Sequence, residues 1–336
     1  MAQKQIIRFN HLLIFIILLL IISCGGGQSG KSKVGVEEPK PHIDIPDFSA
    51  DSAYHFIETQ VSFGPRVPST VGHTACAEYL TSKLVEYGAD VIVQEAKVRA
   101  FDNSILEIKN IIGQFQPEKN DRILLFAHWD TRPFADHDEN ENLRDNPIDG
   151  ANDGASGVGV LLEIARHLKN NPTNLGIDII FFDAEDYGIP DHKNIAYKDD
   201  TWCLGSQYWS QNPHKKNYYA RFGILLDMVG AHNAQFYKEQ YSIYFAEHLV
   251  DNIWKSAAKL GYGQWFNSNK GGSIIDDHVY VYRNLKIPCV NIIEHDQTTI
   301  TNFGFYWHTH NDTMENIDKN TLKAVGQTVL HVIYGD

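Results

Sequence analysis

The run RILLFAH, residues 122–128, is short, apolar and ends in a histidine. A strand with apolar side chains on both faces must be covered on both, as the central strands of parallel sheets are. Three further stretches, within GIDIIFFDAED, ARFGILLDMVG and IPCVNIIEHD, read the same way. Earlier, VIVQEAKV alternates like a half-buried strand and ILEIKNIIGQF follows as its partner. Between these strands lie helical patterns. HTACAEYLTSKLVEYGAD places Ala75, Tyr79, Leu80, Leu84 and Tyr87 on one face and ends at Gly88. DGASGVGVLLEIARHLKNN turns Val158, Leu161, Leu162, Ala165 and Leu168 inward, while HLVDNIWKSAAKLGYG and NTLKAVGQTVLHVIYG complete the set. Strands alternating with helices define an α/β three-layer sandwich, with a mixed, mostly parallel central β-sheet flanked by helices.

Open α/β sheets bind ligands beyond the carboxyl ends of their strands. His128 and Asp130 follow ILLFA, Glu185 and Asp186 follow IIFFDA, and Asp227 follows GILL. His128 and Asp130, two apart on an extended chain, point to the same side. Carboxylates in apolar surroundings are costly unless paired or bound to a cation. A cluster of Asp153, Glu185, Asp186 and Asp227 with His128 and His308 would repel itself without a metal, and carboxylate oxygens with imidazole suit zinc. Each residue taken alone has a plainer reading; Asp153, for instance, stands where it would cap the helix opening at DGASG.

The amino end has a different character. Lys4 and Arg8 precede an apolar core from Leu12 to Ile22, too short to span a bilayer comfortably. It fits a secretory signal over residues 1–23. The order Ser23, Cys24, Gly25 reads as a lipoprotein site with Cys24 as the lipidated first residue, so the chain is expected to be exported, membrane-anchored and facing the periplasm. The alternative is an ordinary signal cleaved near Ser23 and a soluble periplasmic protein. Residues 24–45 read as a flexible tether and 46–336 as one catalytic domain. A net charge of −13 argues against a nucleic-acid partner. Cys76, Cys203 and Cys289 allow at most one disulfide, so this is no disulfide scaffold.

FGPRVPST, FAHWDTRP, DGANDGASGVGVLLEIAR, FFDAEDYG, LGSQYW, LLDMVG, IIDDHVY and YWHTHNDTMENID occur in that order across residues 50–336. Together they resemble the zinc-dependent aminopeptidase superfamily, and within it most closely the glutaminyl cyclases. The aminopeptidase likeness implies two zinc ions on His128, Asp153, Asp186, Asp227 and His308, with Glu185 as general base. The cyclase likeness implies one zinc per chain, held by Asp153, Asp186 and His308, with His128 a neighbour. It also implies Glu185, Asp227 and Asp276 as catalytic groups, Asp276 and Asp227 sharing a proton or hydrogen bond. Trp307 becomes a substrate wall, and the substrates are peptides and proteins with N-terminal glutamine; Trp202, in a stretch that the likeness does not cover, is read as a second wall, and the protein as a monomer. Trp307 before His308, Asp276 before Asp277-His278, and FGPRVP tilt the resemblance toward the cyclases. Zinc-dependent aminopeptidase activity is the alternative. The chain departs from the animal cyclases in having Asp186 for a glutamate, Asn291 for a histidine, and an unmatched stretch at 187–204.

Overall fold

The computed structural model describes residues 44–335. The expected signal segment 1–23, Cys24 and nearly all of the tether lie outside the described residues. The strands are β1 (Asp90–Arg99), β2 (Ile105–Phe115), β3 (Arg122–His128), β4 (Gly176–Phe182), β5 (Gly223–Asp227), β6 (Phe236–Lys238), β7 (Phe266–Lys270) and β8 (Cys289–Ile293). The helices are α1 (Ala50–Ser62), α2 (Val71–Glu86), α3 (Ala155–Asn170), α4 (Leu204–Gln211), α5 (Gln240–Lys259), α6 (Asp277–Leu285) and α7 (Lys319–Gly335). Six strands form one sheet in the order β1-β2-β4-β3-β5-β8. The last four are mutually parallel, and β1 and β2 add an antiparallel edge. A small parallel pair, β6 and β7, stands apart.

The apolar run in β3 explains the layering. Ile123, Leu125 and Ala127 pack into the core under α1, α2, α3, α5 and α7. Leu124 and Phe126 face the other way, against Trp209 of α4 and Val281 of α6. Each large apolar side chain fully buried here contributes about 1.5–3 kcal/mol, which holds the central strands between two helical layers.

Some local readings change. Helix α2 buries His73, Cys76, Ala77, Leu80 and Leu84, a face turned slightly from the expected one, leaving Ala75 and Tyr79 half-buried. The cause is His73, which stacks on Trp129 at 4.4 Å and bonds to Asp183 at 2.8 Å. Helix α3 is buried on all sides from Ala155 to Ala165, because it is sandwiched between the sheet and α1 and α7. The helix expected from His248 begins at Gln240, with a non-helical break at Ala246. Helices α1, α4 and α6 were not anticipated. For α1 the signal was there: Ser49 caps it, and Ala53, Phe56, Ile57 and Gln60 recur at helical spacing. Helices α4 and α6 have only 8 and 9 residues, too short to display a period. Among the described residues no helix is long and apolar enough to cross a membrane. Cys76, Cys203 and Cys289 are free and buried.

Helix α3 reaches the sheet because Gly157 has no side chain: a Cβ there would lie 2.1 Å from the Leu226 carbonyl oxygen of β5. Gly157→Val is therefore expected to destabilise the fold by about 2–3 kcal/mol in urea unfolding. Gly263→Ala, which faces open space, should stay within about 0.5 kcal/mol. Equal stability of the two variants would refute the close packing.

Candidate active site

The strands β4, β3 and β5 are neighbours, so their carboxyl ends deliver Glu185 and Asp186, His128 and Asp130, and Asp227 to one place. The loop before α3 brings Asp153, and the loop after β8 brings Trp307 and His308. A cleft of about 680 Å³ results, lined by Asp153, Glu185, Asp186, Trp202, Asp227, Asp276, Trp307 and His308 together with other groups. The eight residues assigned to the cyclase reading thus share one cavity, while His128 and Asp130 lie outside its lining.

The backbone is bent to achieve this. Ala184, Cys203, Met228 and His308 surround the cleft with φ of 52°, 58°, 47° and 54°. Non-glycine residues occupy this left-handed region at a cost, and such strain gathers at functional sites. Asp130 steadies the turn after β4: its carboxylate accepts the N–H of Glu185 at 3.0 Å and of Asp186 at 3.1 Å. The close spacing of His128 and Asp130 has this explanation, since one faces the acidic cluster while the other holds the loop carrying two of its acids. Asp153 does not cap α3. The residue before α3 is Gly154, with no side-chain cap, and its φ of 98° lets the chain pass His128, whose ring a Cβ at Gly154 would meet at 3.3 Å.

Asp153, Asp186 and His308 offer ligand atoms all within 4.8 Å of one another, and so do His128, Asp153 and Asp227. His308 Nε2 lies 3.2 Å from Asp186 and 3.7 Å from Asp153. His128 Nε2 lies 3.0 Å from Asp153 and 3.2 Å from Asp227. In the first cluster both Asp186 carboxylate oxygens are buried without a hydrogen-bond donor, as are those of Asp277 at the start of α6, but Asp186 also shares a cation-sized space with Asp153 and His308. Elsewhere in the core Asp178 is also fully buried, but Arg122 binds both of its oxygens at 2.7 Å and Tyr218 and Gln114 donate as well. Asp186 has no such escort, and a divalent ion on Asp153, Asp186 and His308 would satisfy it.

The protonation pattern says the same. Burial, then the charge of Asp153, pushes Asp186 up to about 6. Burial raises Asp227 to about 7, with Asp276 adding to it against the His128 contact. Glu185 is driven well above the usual carboxylate range, first by burial and then by Asp276 and Asp186, although His128 opposes this. For His308, burial pulls downward, but Asp186 and Asp136 outweigh it and lift the imidazole to about 9. Crowded carboxyls here hold protons that a bound cation would displace.

Three residues that complete the site, Cys203, Arg132 and Asp136, were not foreseen. The Cys203 thiol donates to Glu185 Oε1 at 3.0 Å. Asp276 stands at the start of α6, where its carboxylate accepts the Asp277 N–H and the Asn291 amide at 2.6 Å. Asn291, where the animal cyclases have a histidine, thus donates to Asp276. Arg132 and Asp136 lie fully buried behind His308 and Trp202. Only the spacing of Arg132 and Asp136 in TRPFAD hinted at them. Trp307 stacks on His308 at 3.6 Å, and Trp202 lies parallel to His308 at 5.9 Å.

A parallel sheet whose strand ends carry carboxylate–imidazole clusters over a deep cleft defines a metal-dependent α/β enzyme. The chain belongs to peptidase family M28, whose model matches residues 110–333. Among solved structures it is similar to a zinc-dependent exopeptidase from Parabacteroides distasonis, 54% identical with TM-score 0.86, covering 87% of this chain and 100% of that one. It is also similar to the glutaminyl cyclase of Tannerella forsythia, 57% identical with TM-score 0.85, over 87% of this chain and 100% of the other. An aminopeptidase of Bacillus subtilis is 29% identical over 71% of this chain, which spans only 46% of that relative's length.

Asp153→Ala and His308→Ala are expected to lose bound zinc on dialysis while keeping the far-UV circular dichroism of the parent. Full metal loading in either folded variant would show that the ion is held elsewhere.

Proposed function

We infer that this protein is a zinc-dependent glutaminyl-peptide cyclotransferase, closing N-terminal glutaminyl residues of peptides and proteins to pyroglutamate with release of ammonia. The observation that carries this reading is the slot beside His308. Trp307 and Trp202 line it together with Asp153, Asp186, Glu185 and Asp276. A planar carboxamide fits between aromatic walls. Glutaminyl cyclases at 57%, 54% and 51% identity support the same choice, beside structures named a zinc-dependent exopeptidase at 54% and a leucine aminopeptidase precursor at 53%.

The substrate carries both reacting groups, so the protein has chiefly to hold the bent conformer and exclude water. Asp153, Asp186 and His308 would hold one zinc ion per chain, with His128 a neighbour. Bound there, zinc supplies a Lewis acid for the γ-carboxamide oxygen. Glu185 accepts a proton from the α-amine as the new nitrogen–carbon bond forms. It returns that proton to the departing amide nitrogen, which leaves as ammonia when its bond to carbon breaks. A carboxyl with the raised proton affinity of Glu185 suits both transfers. The Cys203 thiol holds Glu185 Oε1 toward the cleft. Asp276, fixed by Asn291, raises the proton affinity of Asp227, and on this reading the two hold one proton between them and with it stabilise the tetrahedral centre. Downstream residues of the peptide lie outside the mouth, so many sequences are accepted.

The export reading belongs to the same proposal. The positive start, the short apolar core and the Ser23-Cys24-Gly25 order support removal of residues 1–23 and lipid anchoring of a monomer at Cys24 on the periplasmic side. Residues 46–336 then act as the catalytic domain.

The purified protein should release ammonia from peptides beginning with glutamine and no leucine from peptides beginning with leucine. Leucine release would favour the aminopeptidase alternative. Glu185→Gln should lower kcat by about 10²–10⁴-fold with zinc content and fold retained; wild-type turnover in that variant would remove Glu185 from its role.

A further inference from the structure

Arg132 is a fully buried cation that the proposed chemistry does not use. A guanidinium has five N–H donors in a fixed plane, and here each has an acceptor. Nε and Nη2 bind the two oxygens of Asp136 at 3.1 and 2.7 Å. Nη1 donates to the carbonyls of Asp186 at 2.8 Å and Gly188 at 3.2 Å, and Nη2 also reaches the Ile189 carbonyl at 3.5 Å. The guanidinium carbon of the same group lies over the Trp202 ring, 4.3 Å from its centroid. Asp136, locked by this fork, brings Oδ1 to 3.2 Å from His308 Nδ1, a close charge contact on the side of the imidazole away from Asp186 and Asp153.

We propose that Arg132 is a positioning residue that sets two parts of the site at once: through Asp136 it fixes the His308 ring, and through its stacked face it fixes the Trp202 wall. Carboxylates behind metal-binding histidines orient the ring and raise its basicity, and their loss costs 10–100-fold in metal affinity. A stacked guanidinium immobilises an aromatic ring in a way that an ammonium does not. Arg132 also grips the backbone of Asp186, so one side chain ties the loop after β4, the 132–136 turn and His308 into a single frame. Lysine in its place would keep the charge but lose the fork, the plane and at least two donors.

The test compares Arg132→Lys, Asp136→Asn, their double variant and Trp202→Leu, all zinc-loaded. Zinc release to a chromogenic chelator is read first, and KM for a glutaminyl peptide second. Arg132→Lys should release zinc about tenfold faster and raise KM several-fold. Asp136→Asn should match the faster release, and the double variant should be no faster than either single one. Trp202→Leu should raise KM and release zinc at the parental rate. Parental zinc release in Arg132→Lys, or multiplied effects in the double variant, would overturn the link through Asp136. Parental KM in Arg132→Lys beside a raised KM in Trp202→Leu would overturn the link to the wall. If Arg132→Lys does not fold, Asp136→Asn decides alone: parental zinc release there refutes the relay. The KM readout rests on the cyclase reading and the zinc readout does not, so absence of ammonia from the parent enzyme would defeat that reading while leaving the relay measurable.

Discussion

Crowded negative charge at the carboxyl ends of a buried sheet is the constraint around which this molecule is arranged. Asp153, Glu185, Asp186, Asp227 and Asp276 share one cleft, and a protein interior tolerates such a gathering only with protons or cations. The nearest fixed cation, Arg132, stands 3.7 Å from Asp186 Oδ1 but directs its N–H groups elsewhere. Asp178, near the opposite end of β4, shows the ordinary solution, a bidentate arginine that neutralises it outright. The difference between these two buried aspartates is the difference between scaffold and site.

The rest of the structure serves that arrangement. Both faces of the four parallel strands are covered by helices, so the strand ends are rigid and their loops diverge into a cleft. Close packing of α3 at Gly157 and the left-handed Gly154 set Asp153 beside His128. Asp312 accepts the N–H groups of Asn152 and Asp153, joining that loop to the one that carries His308. Strain at Ala184, Met228 and His308 is sustained because these surrounding bonds over-determine the backbone.

Much of this was legible beforehand, for reasons that can be named. ILLFA has one interpretation once its neighbours alternate with helices, and an acid or histidine after each such run then falls at the binding end of the sheet. Short-range pattern was a weaker guide where tertiary contacts chose the face. In α2, His73 turned inward to meet Trp129 and Asp183, and in α5 a break at Ala246 hid the first turns. Cys203, Arg132 and Asp136 left little trace because a thiol, an arginine and an aspartate in loops have many ordinary uses.

What the sequence by itself determined is the class of fold and the set of acids at its strand ends, because hydrophobic period and strand order are local properties repeated along the chain. What only the tertiary structure decided is which of those acids lack partners. Satisfaction of a buried carboxylate depends on donors that arrive from distant segments. Asp178 accepts hydrogen bonds from Arg122, whereas Asp186 accepts none and has only charge contacts with His308 and Arg132, and no reading of neighbours along the chain distinguishes the two.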